Sequence, residues 1–67
     1  QAMSLLLLKF ETYEEPLTLV PRVEVKAVDT ETGVPVASLP RHEMQKWLAE
    51  QGYRWRPGSS GLWERAA

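Results

Sequence analysis

Apolar positions at the start of the chain first run together and then alternate. From Leu5 to Thr12, Leu6, Leu8 and Phe10 fall on one side of an extended backbone, and Leu5, Leu7, Lys9 and Glu11 on the other. A strand that is apolar on both faces is normally central in its sheet. Glu14-Glu15-Pro16 breaks it, and Leu17-Thr18-Leu19-Val20, closed by Pro21, reads as a loop or a short edge strand. Arg22 to Val28 alternates cleanly, with Val23, Val25 and Ala27 inward and Arg22, Glu24 and Lys26 outward. Asp29-Thr30-Glu31-Thr32-Gly33 then supplies an Asx-type turn with a glycine able to take positive φ. Pairing Asp29 with Val34 would put Val34 and Val36 on the face of Val25 and Ala27, and Pro35, which has no N–H to give a ladder, marks this return strand as an edge.

The period changes near Ser38. Ser38 stands where an N-cap would, Pro40 falls in the first turn, and Glu43 sets a carboxylate near the positive end of the dipole, so a helix is predicted from near Leu39. Met44, Trp47 and Leu48 form its apolar stripe, while Glu43, Gln45, Lys46, Glu50 and Gln51 fall largely outside it. Gly52 can take the left-handed conformation that stops a helix, and Tyr53 is then placed to fold back on Leu48. The helix should end at about Gln51.

Tyr53-Arg54-Trp55-Arg56 and Leu62-Trp63-Glu64-Arg65 alternate with period two across the turn composition Pro57 to Gly61. In the hairpin this predicts, Arg56 faces Leu62, Trp55 faces Trp63 and Arg54 faces Glu64, so Tyr53 and both tryptophans share the inward side. The expected fold is α+β: a small, mainly antiparallel sheet of four to five strands, one amphipathic helix on one face, in the order β-β-β-α-β-β. Residues 3–67 form a single domain in this reading, with Gln1-Ala2 before Met3 taken as a vector remnant. Trp47, Trp55 and Trp63 are evenly spaced, yet one lies on a helix and two on strands, so they predict a shared aromatic core rather than a repeat.

The run Leu48 to Trp63, with its helix end, Gly52-Tyr53-Arg54-Trp55, polar turn and closing Trp63, resembles a Gly-[Phe/Tyr]-Arg-Trp…Trp helix-hairpin element of poorly characterised phage and plasmid proteins. The resemblance covers under half of the chain and implies a mobile-element setting. It carries no catalytic residue over, and the N-terminal half resembles no family.

Composition narrows the picture. Ordering 67 residues costs on the order of 1.5 kcal/mol each, which apolar burial must nearly match. Without cysteine there is no disulfide and no thiolate zinc site, so stability rests on the core or on a second subunit. The apolar run Leu5 to Leu8 is too short for a signal or spanning segment, which leaves a soluble cytoplasmic protein as the expectation. Charge is uneven: residues 1–40 carry three basic against six acidic side chains, and residues 41–67 five against three. A duplex binder needs a clear basic excess to neutralise phosphates, and only the C-terminal part has one.

Candidate chemistry is sparse. His42, the single histidine, lies in the first helical turn, where a solvated imidazole is the ordinary outcome. A metal site would have to rely on carboxylates such as Glu14 and Glu15, which beside a proline read as a solvated loop. Ser59-Ser60 sits in a small turn that lacks the lysine and following helix of a phosphate loop. No nucleophile, acid/base pair or glycine fingerprint stands out, so the sequence predicts no enzyme, no cofactor and no small-molecule substrate. Two functional classes remain. One is a protein-binding or regulatory module that forms a homodimer or docks on a larger protein, through the surplus strand face of Leu5, Leu7 and Lys9. The competing cover for those leucines is the segment Leu17 to Pro21. The other class, less favoured, is a nucleic-acid binder using Arg54, Arg56 and Arg65 on the hairpin, for which cross-strand pairing with Glu64 is the structural alternative. A purely structural role is the remaining alternative.

Overall fold

The computed structural model describes residues 3–66, so Gln1-Ala2, the expected remnant, lies outside the described residues. Strands β1 (Met3–Glu14), β2 (Pro21–Asp29) and β3 (Pro35–Pro40) precede helix α1 (Arg41–Glu50), and the short β4 (Arg54–Trp55) and β5 (Leu62–Ala66) follow it. All five strands form one antiparallel sheet in the order β3-β2-β1-β5-β4. The expected α+β fold and its element order are therefore present, with the doubly apolar β1 in the centre and the proline-bearing β3 at one edge.

One face of the sheet carries the helix. Leu6 of β1, Val25 and Ala27 of β2, Met44 and Leu48 of α1 and Tyr53 form the buried core, flanked by the partly buried Leu8, Ala37, Leu39, Trp47 and Trp63. Two expectations about the entry to the helix fail for connected reasons. Asp29 and Val34 do meet, through the Asp29 N–H and the Val34 carbonyl at 3.1 Å, but the β2–β3 ladder slips between Ala27 and Val28. Val28 pairs with Pro35 and Ala27 with Ala37, leaving Val36 as the extra residue of a bulge. Because side chains alternate, this shift turns Ala37 and Leu39 to the core and leaves Val34 and Val36 exposed. Ser38 is then a strand residue, paired with Lys26 and donating its hydroxyl to the Glu24 carboxylate, not an N-cap. Leu39 cannot start the helix either, since a residue before proline is held extended. Pro40 (φ −57°, ψ 153°) takes the capping position with no side-chain bond, and the helix begins at Arg41.

The helix stop follows expectation. Gly52 has φ +85°, its N–H donates to the Ala49 carbonyl at 3.1 Å, and the Tyr53 N–H donates to the Leu48 carbonyl at 2.9 Å, the paired bonds of a Schellman motif. The hairpin register also holds, with Arg54 opposite Glu64, Trp55 opposite Trp63, and the Arg56 N–H donating to the Leu62 carbonyl at 2.8 Å.

Length decides the overall shape. A ten-residue helix spans about 15 Å, whereas a twelve-residue strand spans about 40 Å. Beyond the helix, β1 and β2 therefore continue as a two-stranded arm, and the molecule measures 47 × 22 × 21 Å. At its tip the Glu15 N–H donates to the Val20 carbonyl at 3.2 Å around a loop of four residues, so Leu17 to Val20 is loop rather than strand.

Candidate functional site

An apolar cleft opens where the helix and the β4–β5 hairpin diverge. Leu8, Phe10, Val25 and Trp63 line it from the sheet, Arg41, Met44 and Gln45 from the helix, and Trp55, Ser60 and Gly61 from the hairpin, around a volume of about 260 Å³. Sequence logic explains each wall. Met44 belongs to the helix stripe. Trp55 and Trp63 stand on the inward side of the hairpin, but the hairpin diverges from the helix, so Trp55 is left 48% exposed. Phe10 has the same parity as Leu6 and Leu8, yet it lies where the helix cover ends and is 58% exposed. The expectation that Trp47, Trp55 and Trp63 share an aromatic core is thus corrected at Trp55, and Phe10, expected on the side of Leu6 and Leu8, is on that side but beyond its cover. Val23, placed inward by alternation, is exposed on the arm for the same reason.

Around the cleft the polar groups are few. Arg41 is its one charged lining residue and has no ion-pair partner among the described residues. Ser59, beside it in the turn, is fully engaged: its hydroxyl donates to the Arg56 carbonyl at 2.7 Å and accepts from the Leu62 N–H at 3.2 Å. That use of Ser59 leaves the Ser59-Ser60 turn no hydroxyl pair to offer an anion. Gly61 takes φ +105°, and its carbonyl accepts from the Leu8 N–H at 2.9 Å, seating the turn on β1.

The face without the helix holds the residues expected to form an interface. Leu5 lies opposite Glu64, and Leu7 lies between Leu62 and Val28. Val28 is buried, and Leu5, Leu7 and Leu62 are half-buried. Lys9 is exposed opposite Lys26, whose ammonium pairs with Glu11 at 3.2 Å. Leu17 to Pro21 does not cover Leu5 and Leu7, because it forms the far tip of the arm, where Leu17 is 97% exposed.

The three candidate arginines are not brought to one surface. Arg54 and Arg56 border the hairpin, and Arg56, not Arg54, pairs with the half-buried Glu64 at 3.2 Å. Arg65 lies on the helix side of β5, where it donates to the Gln51 carbonyl at 2.8 Å and covers the Tyr53 ring. It caps the helix rather than facing outward beside the other two. His42 is exposed in the first helical turn, and Glu15 bonds Arg22 and Thr18 at the arm tip. No helix among the described residues is long and apolar enough to cross a membrane.

Sequence reasoning missed the cleft although it assigned most of its walls to the correct face. The available signal was length: Phe10 and Val23 sit in strands too long for one short helix to cover. No protein-family model, curated protein or solved structure matches this chain.

Proposed function

We propose that this chain is a small, non-catalytic protein-binding module that holds a segment of polypeptide in the cleft between α1 and the β4–β5 hairpin. The carrying observation is the cleft itself: Phe10 and Trp55 stand exposed at its mouth beside the unpaired cation of Arg41. Large aromatic side chains left in water at a concave site are disfavoured by hydration unless something covers them. Aromatic anchors with an arginine at the rim are also the composition of protein-contact hot spots. The occupant that matches is a segment presenting an aliphatic side chain to the apolar walls and a carboxylate to Arg41. The resemblance of Leu48 to Trp63 to the helix-hairpin element of poorly characterised phage and plasmid proteins favours a mobile-element setting for the module.

Nucleic-acid binding has weaker support, since two of its three expected arginines, Arg56 and Arg65, are engaged within the fold. A titration followed by amide and indole NMR resonances tests the proposal. The probe is a short peptide with leucine between two glutamates, and its controls are the same peptide with lysines and a single-stranded oligonucleotide. The acidic peptide should shift the Trp55 indole, Gln45 and Phe10 signals, and Trp55→Ala should abolish the response. An equal response to the lysine peptide, or shifts confined to Arg54 and Arg56 with the oligonucleotide, would overturn it.

A further inference from the structure

Four apolar side chains of the arm, Leu17, Leu19, Val20 and Val23, are left exposed among the described residues. Leu19 adds a second oddity. It is the one described non-glycine residue with positive φ, at 57°, in the last position of the four-residue loop, where glycine or asparagine would remove the steric cost. Its side chain is 68% exposed, so burial within its own chain does not offset that cost. A leucine held in a disfavoured conformation with its side chain in water is not explained by the stability of a lone subunit.

Charge completes the pattern. The two-stranded arm, residues 12–23, carries two acidic side chains, Glu14 and Glu15, and one basic, Arg22. Glu15 is taken by Arg22, and Glu11 at the base of the arm by Lys26. Glu14 has no ion-pair partner among the described residues, and by strand alternation it shares the face of Leu6 and Phe10. The arm therefore offers aliphatic side chains beside a free carboxylate, and the cleft offers apolar walls beside the free Arg41.

Resting on the docking function above, we propose that the occupant of the cleft is the arm of a second copy of this chain: two subunits pack arm against arm about a two-fold axis. Each inserts Leu17 and Leu19 beside Phe10 and Trp55 of the other, and each Glu14 meets the other subunit's Arg41. The contact is isologous, so both clefts are filled at once and no sticky surface is left to propagate.

Sedimentation and charge reversal test this, in variants whose folding is checked by circular dichroism; the residues changed in the arm and at Arg41 are exposed. The wild-type chain should sediment as a dimer at about 0.5 mM. Glu14→Arg and Arg41→Glu should each weaken the dimer by about tenfold or more through like-charge contact. Mixing the two single variants should restore association, because each arm then meets a cleft of opposite sign. Combining both changes in one chain should do the same. Leu17→Ser with Leu19→Ser should give a folded monomer. A monomeric wild-type chain overturns the second-copy occupant, and if that monomer still takes the acidic leucine peptide, the docking function stands without it. A dimer that survives the arm and Arg41 variants but is lost in Leu5→Lys with Leu7→Lys also overturns it, in favour of the opposite face. Failure of the mixed variants to associate removes the Glu14–Arg41 contact, and with it the proposed arrangement.

Discussion

The Arg65 guanidinium lies over the ring of Tyr53, 4.4 Å from its centroid, and with the same group donates to the Gln51 carbonyl. The last strand thereby closes the C-terminal end of the only described helix, whose final turn has no basic residue of its own. Replacing Arg65 with alanine removes a cation–π contact and a charge-assisted helix cap at once, and should lower stability by about 1–2 kcal/mol. Urea unfolding measures this. Lysine at this position should recover only part of the loss, since it lacks the planar fork that permits both contacts.

Tyr53 is also held at its phenol end by Ser4, the cross-strand partner of Arg65: the Ser4 hydroxyl lies 3.0 Å from the phenol oxygen. Ser4→Ala and Tyr53→Phe should each cost about 0.5–1.5 kcal/mol. In a double-mutant cycle the two changes together should cost clearly less than their sum, because one bond is lost in both. Additive losses would mean that the two hydroxyls do not bond in solution.

Gly52 should resist substitution for a conformational reason alone. A Cβ added there would meet only the aliphatic part of Arg65 at 3.5 Å, an ordinary contact, but φ is +85°. Gly52→Ala should cost about 1 kcal/mol, and the β-branched Gly52→Val more. An unchanged melting temperature for the valine variant would show that the helix does not end in this motif.

Within the helix, the core depends more on Leu48 than on Trp47. Leu48 is fully buried and Trp47 only partly, although sequence alone places both on the apolar stripe. Leu48→Ala should cost about 2–5 kcal/mol, enough to abolish cooperative unfolding in so small a domain. Trp47→Ala should lower the melting temperature and leave a folded protein. The reverse ranking in thermal melts would mean that the helix is rotated about its axis.

On the helix-free face, Leu5→Lys with Leu7→Lys should lower the melting temperature without changing the sedimentation mass. Both leucines are half-buried against their own sheet neighbours, opposite Glu64 and beside Val28 and Leu62. A folded chain of halved mass would instead identify these leucines as the subunit contact.

Local chemistry by itself determined much of this fold. Period-two and helical spacing identify the main strands and the helix, Gly52 with Tyr53 marks the helix stop, Asp29 to Gly33 marks the turn, and the five-residue turn sets Trp55 opposite Trp63. Each of these depends on neighbours within a few residues. The bulge at Val36 was decided elsewhere: strand alternation alone favoured Val34 and Val36 as inward residues, and only the ladder from Val28 to Pro35 and Ala27 to Ala37 shows the slip that hands the core to Ala37 and Leu39. Face was legible for Phe10 and Trp55, but cover was not. Which inward residues stay in water depends on how far a helix of about 15 Å reaches along a strand of about 40 Å, and that reach is set by packing across the sheet. The separation of Arg65 from Arg54 and Arg56, by contrast, was legible in strand alternation, because Arg65 has the parity of the inward Trp63 while Arg54 faces Glu64. What only the docked helix end supplies is the Gln51 carbonyl and the Tyr53 ring that engage Arg65 on that side.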